Sequence, residues 1–170
     1  MLSLEDLIDM AINVLVITIK YEDLHSKRPT LDGYADAGNR LIVLDISLRD
    51  NPRHHKCVLA EEIGHILFPP RPGHLAYHMQ GYYQLDSYDR SSIKAVVSQD
   101  ERKAIQWATI FLIPDIELDK SIADGKKTIY EFAEIFEVEK WFMLFRLNFY
   151  KRQNRQNGRK TKLKDIVIRK

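Results

Sequence analysis

The sequence predicts an α+β domain in which a small, mostly antiparallel sheet packs against helices. A run of β-branched residues at 14–19 predicts a strand. Two further apolar stretches flank a turn rich in Asp, Gly and Asn at residues 36–39 and predict a hairpin. Segments with helical periodicity precede and follow these strands. Because 170 residues can enclose one hydrophobic core, one main domain is expected.

The first element is predicted to be an amphipathic helix. Ser3 and Asp6 have the spacing of a capping pair, and apolar residues follow at intervals of three and four. The helix is expected to end near Asn13.

The predicted hairpin joins a strand at residues 31–35 to a strand at residues 40–46. The intervening residues, 36–39, include types that tolerate positive φ. We expect the strand at 40–46 to lie at an edge of the sheet, where it would hold an extended peptide as an added strand.

A central helix is predicted to begin at Pro52 and to end before Pro69. Residues 71–97 have no clear periodicity, and we interpret them as an active-site loop or a flexible lid. A second strong helix is predicted between residue 98 or 100 and Pro114.

Two helices are predicted near the C-terminus. Thr128 and Glu131 form a capping box for a helix that continues to about Phe136, and the next helix runs through Trp141 to about Tyr150. Two short helices with a tight break resemble a helix-turn-helix, although their aromatic residues suit packing better than groove reading.

We divide the chain into a domain at residues 1–120, a helical extension packed on it at 121–150 and a flexible basic tail at 151–170. The tail has nine Lys or Arg and one Asp, a net charge of +8, which leaves −6 on the rest. Such a tail suits contact with nucleic acid or an acidic partner. A solvated, flexible end has the same composition.

Composition excludes several classes of protein. The single cysteine, Cys57, rules out an internal disulfide framework and any multi-cysteine zinc site, and it is expected to fill core space. The longest apolar run is far shorter than the roughly 20 residues of a membrane span, and the polar start does not resemble a signal peptide. We expect a soluble, cytoplasmic protein without a membrane partner.

The main candidate site lies in the central helix. Glu61 and His65 are four residues apart, so they share a helical face about 6 Å apart along the axis. With Glu62, they differ by one residue from the H-E-x-x-H motif of zinc peptidases, whose first histidine is a glutamate here. We predict Glu61, His65 and Glu101 as metal ligands and Glu62 as general base. The alternative is a helix whose polar residues face solvent or form an ordinary i, i+4 ion pair. Gly64 suggests that another backbone or a substrate passes close by.

Other residues are weaker candidates. His74 and His78 have metal-ligand spacing, and either is a candidate for the missing imidazole. Tyr77 has a phenol suited to a developing oxyanion, although such tyrosines more often pack or bind a partner. His54 is predicted to be a surface residue about 10 Å from Glu61, too far to share its ion.

Three segments together resemble the ImmA/IrrE family of metallopeptidases: Leu59-Ala60-Glu61-Glu62-Ile63-Gly64-His65, Glu101-x-x-Ala104-x-x-Trp107-Ala108 and Leu112-Ile113-Pro114. The resemblance covers roughly residues 1–145, and the Ala-Glu-Glu sequence is similar to that of phage-type relatives. It implies a compact zincin-like fold, a divalent metal on residues 61, 65 and 101, and Glu62 as base. It also implies an endopeptidase that acts on a helix-turn-helix repressor of a prophage or mobile element.

The glutamate at position 61 leaves alternatives open. Two glutamates and one histidine would cancel the charge of a divalent ion and weaken it as a Lewis acid. Zinc is the first expectation, and manganese is a harder alternative. A second hypothesis is a weakly active or inactive regulatory binding protein, an anti-repressor of the same fold. A third is DNA binding through residues 128–150 and the tail.

Overall fold

The structure is a computed structural model that describes residues 2–69, 102–125 and 128–158. Within these ranges, six α-helices and three strands surround one hydrophobic core, which confirms the α+β class. No helix in these ranges is both long and apolar enough to cross a bilayer. The elements are α1 (Leu4–Asp9), β1 (Thr18–Glu22), β2 (Gly33–Asp36), β3 (Leu41–Asp45), α2 (Pro52–Leu67), α3 (residues 102–112), α4 (Asp115–Ala123), α5 (Ile129–Phe136) and α6 (Lys140–Gln156).

The N-terminal helix is capped as predicted. The backbone N–H of Asp6 donates to Oγ of Ser3 at 3.0 Å, and the backbone N–H of Ser3 donates to Oδ2 of Asp6 at 3.0 Å. A π-helical turn, Met10–Val14, continues α1. The first strand therefore begins later than predicted, at Thr18, because the helical turn extends to Val14 and Val16 has a φ of 52°, outside the β region.

The hairpin is confirmed, with β2 antiparallel to β3 and Asp36 paired with Leu41. The prediction that residues 40–46 form an edge was wrong. The strand order is β1-β3-β2, so β3 is central, and it pairs in parallel with β1 from Thr18 onward. The sheet is therefore mixed, and β2 is an edge among the strands of the described residues.

The hairpin turn places Arg40, rather than residues 36–39, at a positive φ of 49°. Its Nε donates to the carbonyl oxygen of Val16 at 3.3 Å, and its Nη2 donates to the carbonyl oxygen of Leu15. These bonds offset the cost of the left-handed backbone, about 1–2 kcal/mol. They also tie the hairpin to the segment that enters β1.

Helices α2 and α3 cross at Gly64, as that residue suggested. A Cβ atom added there would lie 2.6 Å from the carbonyl oxygen of Ala104. Ala104 and Ala108 are fully buried. Small residues therefore bring the backbone of α3 against α2 next to His65.

Both C-terminal helices form, and α6 continues to Gln156, beyond its predicted end near Tyr150. The backbone N–H of Glu131 donates to Oγ1 of Thr128 at 3.2 Å, and the reciprocal bond from Thr128 measures 2.9 Å. Glu137, at a φ of 49°, ends α5 in a left-handed cap. The buried face of α6, including Phe142 and Leu147, packs into the core.

These two helices are held against the first half of α2. Nζ of Lys56 donates to the carbonyl oxygen of Phe136 at 3.2 Å, and the backbone N–H of Glu139 donates to Sγ of Cys57 at 3.3 Å. Cys57 is fully buried, which confirms its core role, and burial raises the pKa of its thiol to about 12. The thiol is therefore protonated and inert at neutral pH.

Candidate active-site cleft

A cleft of about 700 Å³ runs along α2. One wall is α2, from His54 to His65, and the opposite wall is β2 with the connection that precedes it. Trp141 contributes from α6. The cleft thus lies where the central helix, an edge strand and the C-terminal helices meet.

The structure places three of the predicted site residues together in this cleft. Glu61, Glu62 and His65 all line it, and each is half-buried on α2. Carboxylate oxygen and imidazole nitrogen are donor types that suit zinc or manganese. The side chains on this wall therefore fit the chemistry of a divalent-metal site.

The remaining predicted site residues, Glu101, His74, His78 and Tyr77, lie outside the described residues. Within residues 2–69, 102–125 and 128–158, no three histidine, cysteine or acidic side chains are arranged to hold an ion. The described part of α2 thus supplies two candidate ligands, and a third would have to come from elsewhere in the chain.

An unexpected network lies on the opposite wall. Asp32 binds two imidazoles: Nε2 of His54 donates to Oδ2 at 2.9 Å, and Nε2 of His25 donates to Oδ1 at 3.0 Å. His54 is therefore not the plain surface residue that was predicted, because it lines the cleft and bridges to the segment before β2. No sequence signal indicates this contact between residues 22 positions apart.

Asp45 anchors the same network from the end of β3. Asp45 is 1% exposed, and its carboxylate accepts hydrogen bonds from the backbone N–H groups of Leu24 at 2.8 Å, His25 at 3.0 Å and Ser47 at 2.9 Å. Burial by itself raises the pKa of Asp45, but the bonds from Ser47, His25 and Leu24 outweigh it and hold that pKa well below its usual range. A charged carboxylate therefore fixes the connection between β1 and β2.

Trp141 lines the cleft beside His54. Its ring meets that of His54 edge to face, with centroids 6.3 Å apart. Trp141 also contacts Phe145, at 6.5 Å between centroids. Helix α6 therefore contributes a side chain to the cleft. DNA binding through residues 128–150 and the tail stays a prediction.

One known family model matches most of the chain. The model of the IrrE N-terminal-like domain, Peptidase_M78, matches residues 12–148. No curated protein and no solved structure matches the chain. The matched range contains the sheet, all of α2 and most of the C-terminal helix pair. The chain therefore belongs to the IrrE N-terminal-like, or ImmA/IrrE, family of metallopeptidases, whose chemistry implies a divalent metal and a protein substrate.

Proposed function

We propose that the chain is a metal-dependent endopeptidase that cuts a protein segment held in the cleft, and that this protein is a helix-turn-helix repressor of a prophage or mobile element. The observation that carries the proposal is that one helix presents Glu61, Glu62 and His65 to one cleft, beside an edge strand. Membership of a metallopeptidase family supports the reaction class.

The proposed metal ligands are Glu61, His65 and Glu101, with zinc as the proposed ion and manganese as the alternative. Glu101 lies three positions before Ala104 in sequence, and the backbone of Ala104 meets α2 at Gly64. This crossing supports a ligand near the start of α3. When bound, the metal would supply Lewis acidity toward the scissile carbonyl.

Glu62 is the proposed general base. Its carboxylate lines the cleft one position from Glu61, so it stands next to the proposed metal position without belonging to the ligand set. A carboxylate oxygen of Glu62 would take the proton of the attacking water and pass it to the leaving amine nitrogen.

The edge strand β2 is the proposed seat for the substrate backbone, in place of the central β3. An extended segment could add to β2 through main-chain hydrogen bonds. Along α2, the distance from His54 to His65 corresponds to about 16 Å of helix rise. About five extended residues fit that length.

Replacement of the general base tests the proposal. With zinc or manganese added, Glu62→Gln should lower cleavage of a quenched-fluorescent peptide pool by about 10²- to 10⁴-fold. Its metal content should stay unchanged, because Glu62 is not a proposed ligand. Glu22→Gln is the matched control, since Glu22 lines the same cleft from β1. Equal cleavage by native protein and Glu62→Gln would refute the mechanism.

The second candidate function is that of an anti-repressor, which has the same fold and binds its partner without cleaving it. The glutamate at position 61 favours the anti-repressor. Two glutamates and one histidine would cancel the charge of a divalent ion and so weaken it as a Lewis acid. Metal analysis after dialysis against zinc or manganese separates the two functions. Less than about one ion per ten chains would support the binding protein, since a working site retains its metal.

A further inference from the structure

Two cations in the cleft, Lys27 and Arg28, have no ionic partner among the described residues. Both line the cleft and both are exposed. Neither takes part in the ion pairs that form within residues 2–69, 102–125 and 128–158. Their charges are therefore available to a ligand.

The backbone that carries these cations is held in place. The N–H groups of Lys27 and Arg28 donate to the carbonyl oxygen of Leu24 at 3.0 and 2.8 Å. The N–H of Leu24 donates in turn to the buried carboxylate of Asp45 at 2.8 Å. A preorganised turn lowers the ordering cost of binding.

The described carboxylates that line the cleft form no ion pair with these two cations. Asp32 is bound by His25 and His54, Glu61 is a proposed metal ligand, and Glu62 is the proposed general base. Glu22 also lines the cleft, but it forms no ion pair with Lys27 or Arg28.

We infer that the cleft selects peptide segments that carry an aspartate or glutamate side chain, which Lys27 and Arg28 bind. The inference rests on the proposed function, because it specifies the substrate of the same cleft. Exposed ion pairs are weak, but a bound peptide displaces water, and the arginine fork can bind a carboxylate through two hydrogen bonds. A preference of about tenfold is expected.

Two peptide pools of equal length test the inference. One is randomised with Asp and Glu at fixed positions, and the other has Asn and Gln at the same positions. Native protein should bind the acidic pool about tenfold more tightly by fluorescence anisotropy. The double variant Lys27→Glu/Arg28→Glu should reverse the preference, and Lys27→Ala/Arg28→Ala should abolish it. The control variant Lys20→Glu/Arg152→Glu has the same charge change at exposed residues outside the cleft lining, and it should keep the preference for the acidic pool.

Cleavage is measured in parallel, so that the two proposals can fail separately. Preference for the acidic pool without cleavage of either would support the inference and contradict the peptidase. Cleavage of both pools with equal kcat/KM would support the peptidase and overturn the inference. Binding to neither pool, or an acid preference that survives in Lys27→Glu/Arg28→Glu, would also overturn it. Matching melting curves will show that each variant is folded.

Discussion

Nε2 of His54 lies 2.9 Å from Oδ2 of Asp32, and this hydrogen bond joins α2 to the residue that precedes β2. The next residue, Gly33, begins β2, and a Cβ added there would be at ordinary contact distance, 3.4 Å, from Cγ1 of Val58 on α2. The hydrogen bond therefore ties α2 to the start of the edge strand, where both elements line the cleft.

A double-mutant cycle measures that connection. His54→Ala and Asp32→Ala should each lower the free energy of unfolding, and the coupling between them should be about 1 kcal/mol, because the pair is only partly shielded from water. Urea unfolding gives the values. The control cycle combines His54→Ala with Asp36→Ala, whose carboxylate bonds instead to Asn39. Coupling equal to that of the control would mean that the bond contributes nothing in solution.

Gly64→Ala tests the crossing of α2 and α3. The added Cβ would lie 2.6 Å from a backbone oxygen, so one helix must move, at a cost of about 1–3 kcal/mol. We expect Tm to fall by several degrees, because each kcal/mol shifts Tm by about 2–4 °C in a domain of this size. Gly38→Ala should have little effect, since the nearest atom to its added Cβ is a side-chain oxygen at 3.4 Å. Equal Tm values for the two variants would contradict the crossing.

Asp45 should make the free energy of unfolding depend on pH in the acid range. Its folded pKa is depressed below the ordinary value of 3.8, so its contribution is present above that pH and is lost as pH falls through the folded pKa. The free energy of unfolding should therefore decline as pH is lowered from about 5 to 2. Asp45→Asn should be less stable at neutral pH and should show a shallower decline. Asp124→Asn, at an exposed turn, is the control and should follow the native profile.

Repair of the metal motif tests the first ligand position. Glu61→His should tighten zinc binding by at least about tenfold, because it replaces a short carboxylate with an imidazole and removes one negative charge. Isothermal titration calorimetry measures the affinity. Glu22→His, which adds an imidazole elsewhere in the cleft, should not tighten it. Unchanged affinity in Glu61→His would place the site elsewhere.

Local signals in the sequence predicted much of the fold. The capping boxes at Ser3 and Thr128 require only residues three positions away, and the sequence showed both. The central position of β3 depends instead on parallel pairing with β1 across an intervening connection. No local pattern specifies that pairing, so the edge was assigned to the wrong strand.

The same distinction applies to the cleft. Glu61, Glu62 and His65 follow one another on one helix, so their spacing alone predicted their shared location. Asp32 and His54 meet only because the sheet packs on α2, and Trp141 reaches the cleft from a helix far along the chain. Such contacts follow from tertiary packing, which a single sequence does not encode in its spacing.

The anchoring of Lys56 and Cys57 by the turn between α5 and α6 has a practical consequence for anyone who shortens this protein. A fragment that stops at residue 120 would lose the carbonyl of Phe136 and the N–H of Glu139, which bond to Lys56 and Cys57. It would also uncover the core side chains that pack against Phe132, Phe142 and Leu147. Exposed patches of this kind promote aggregation. The minimal unit that can be expressed therefore includes the C-terminal helices.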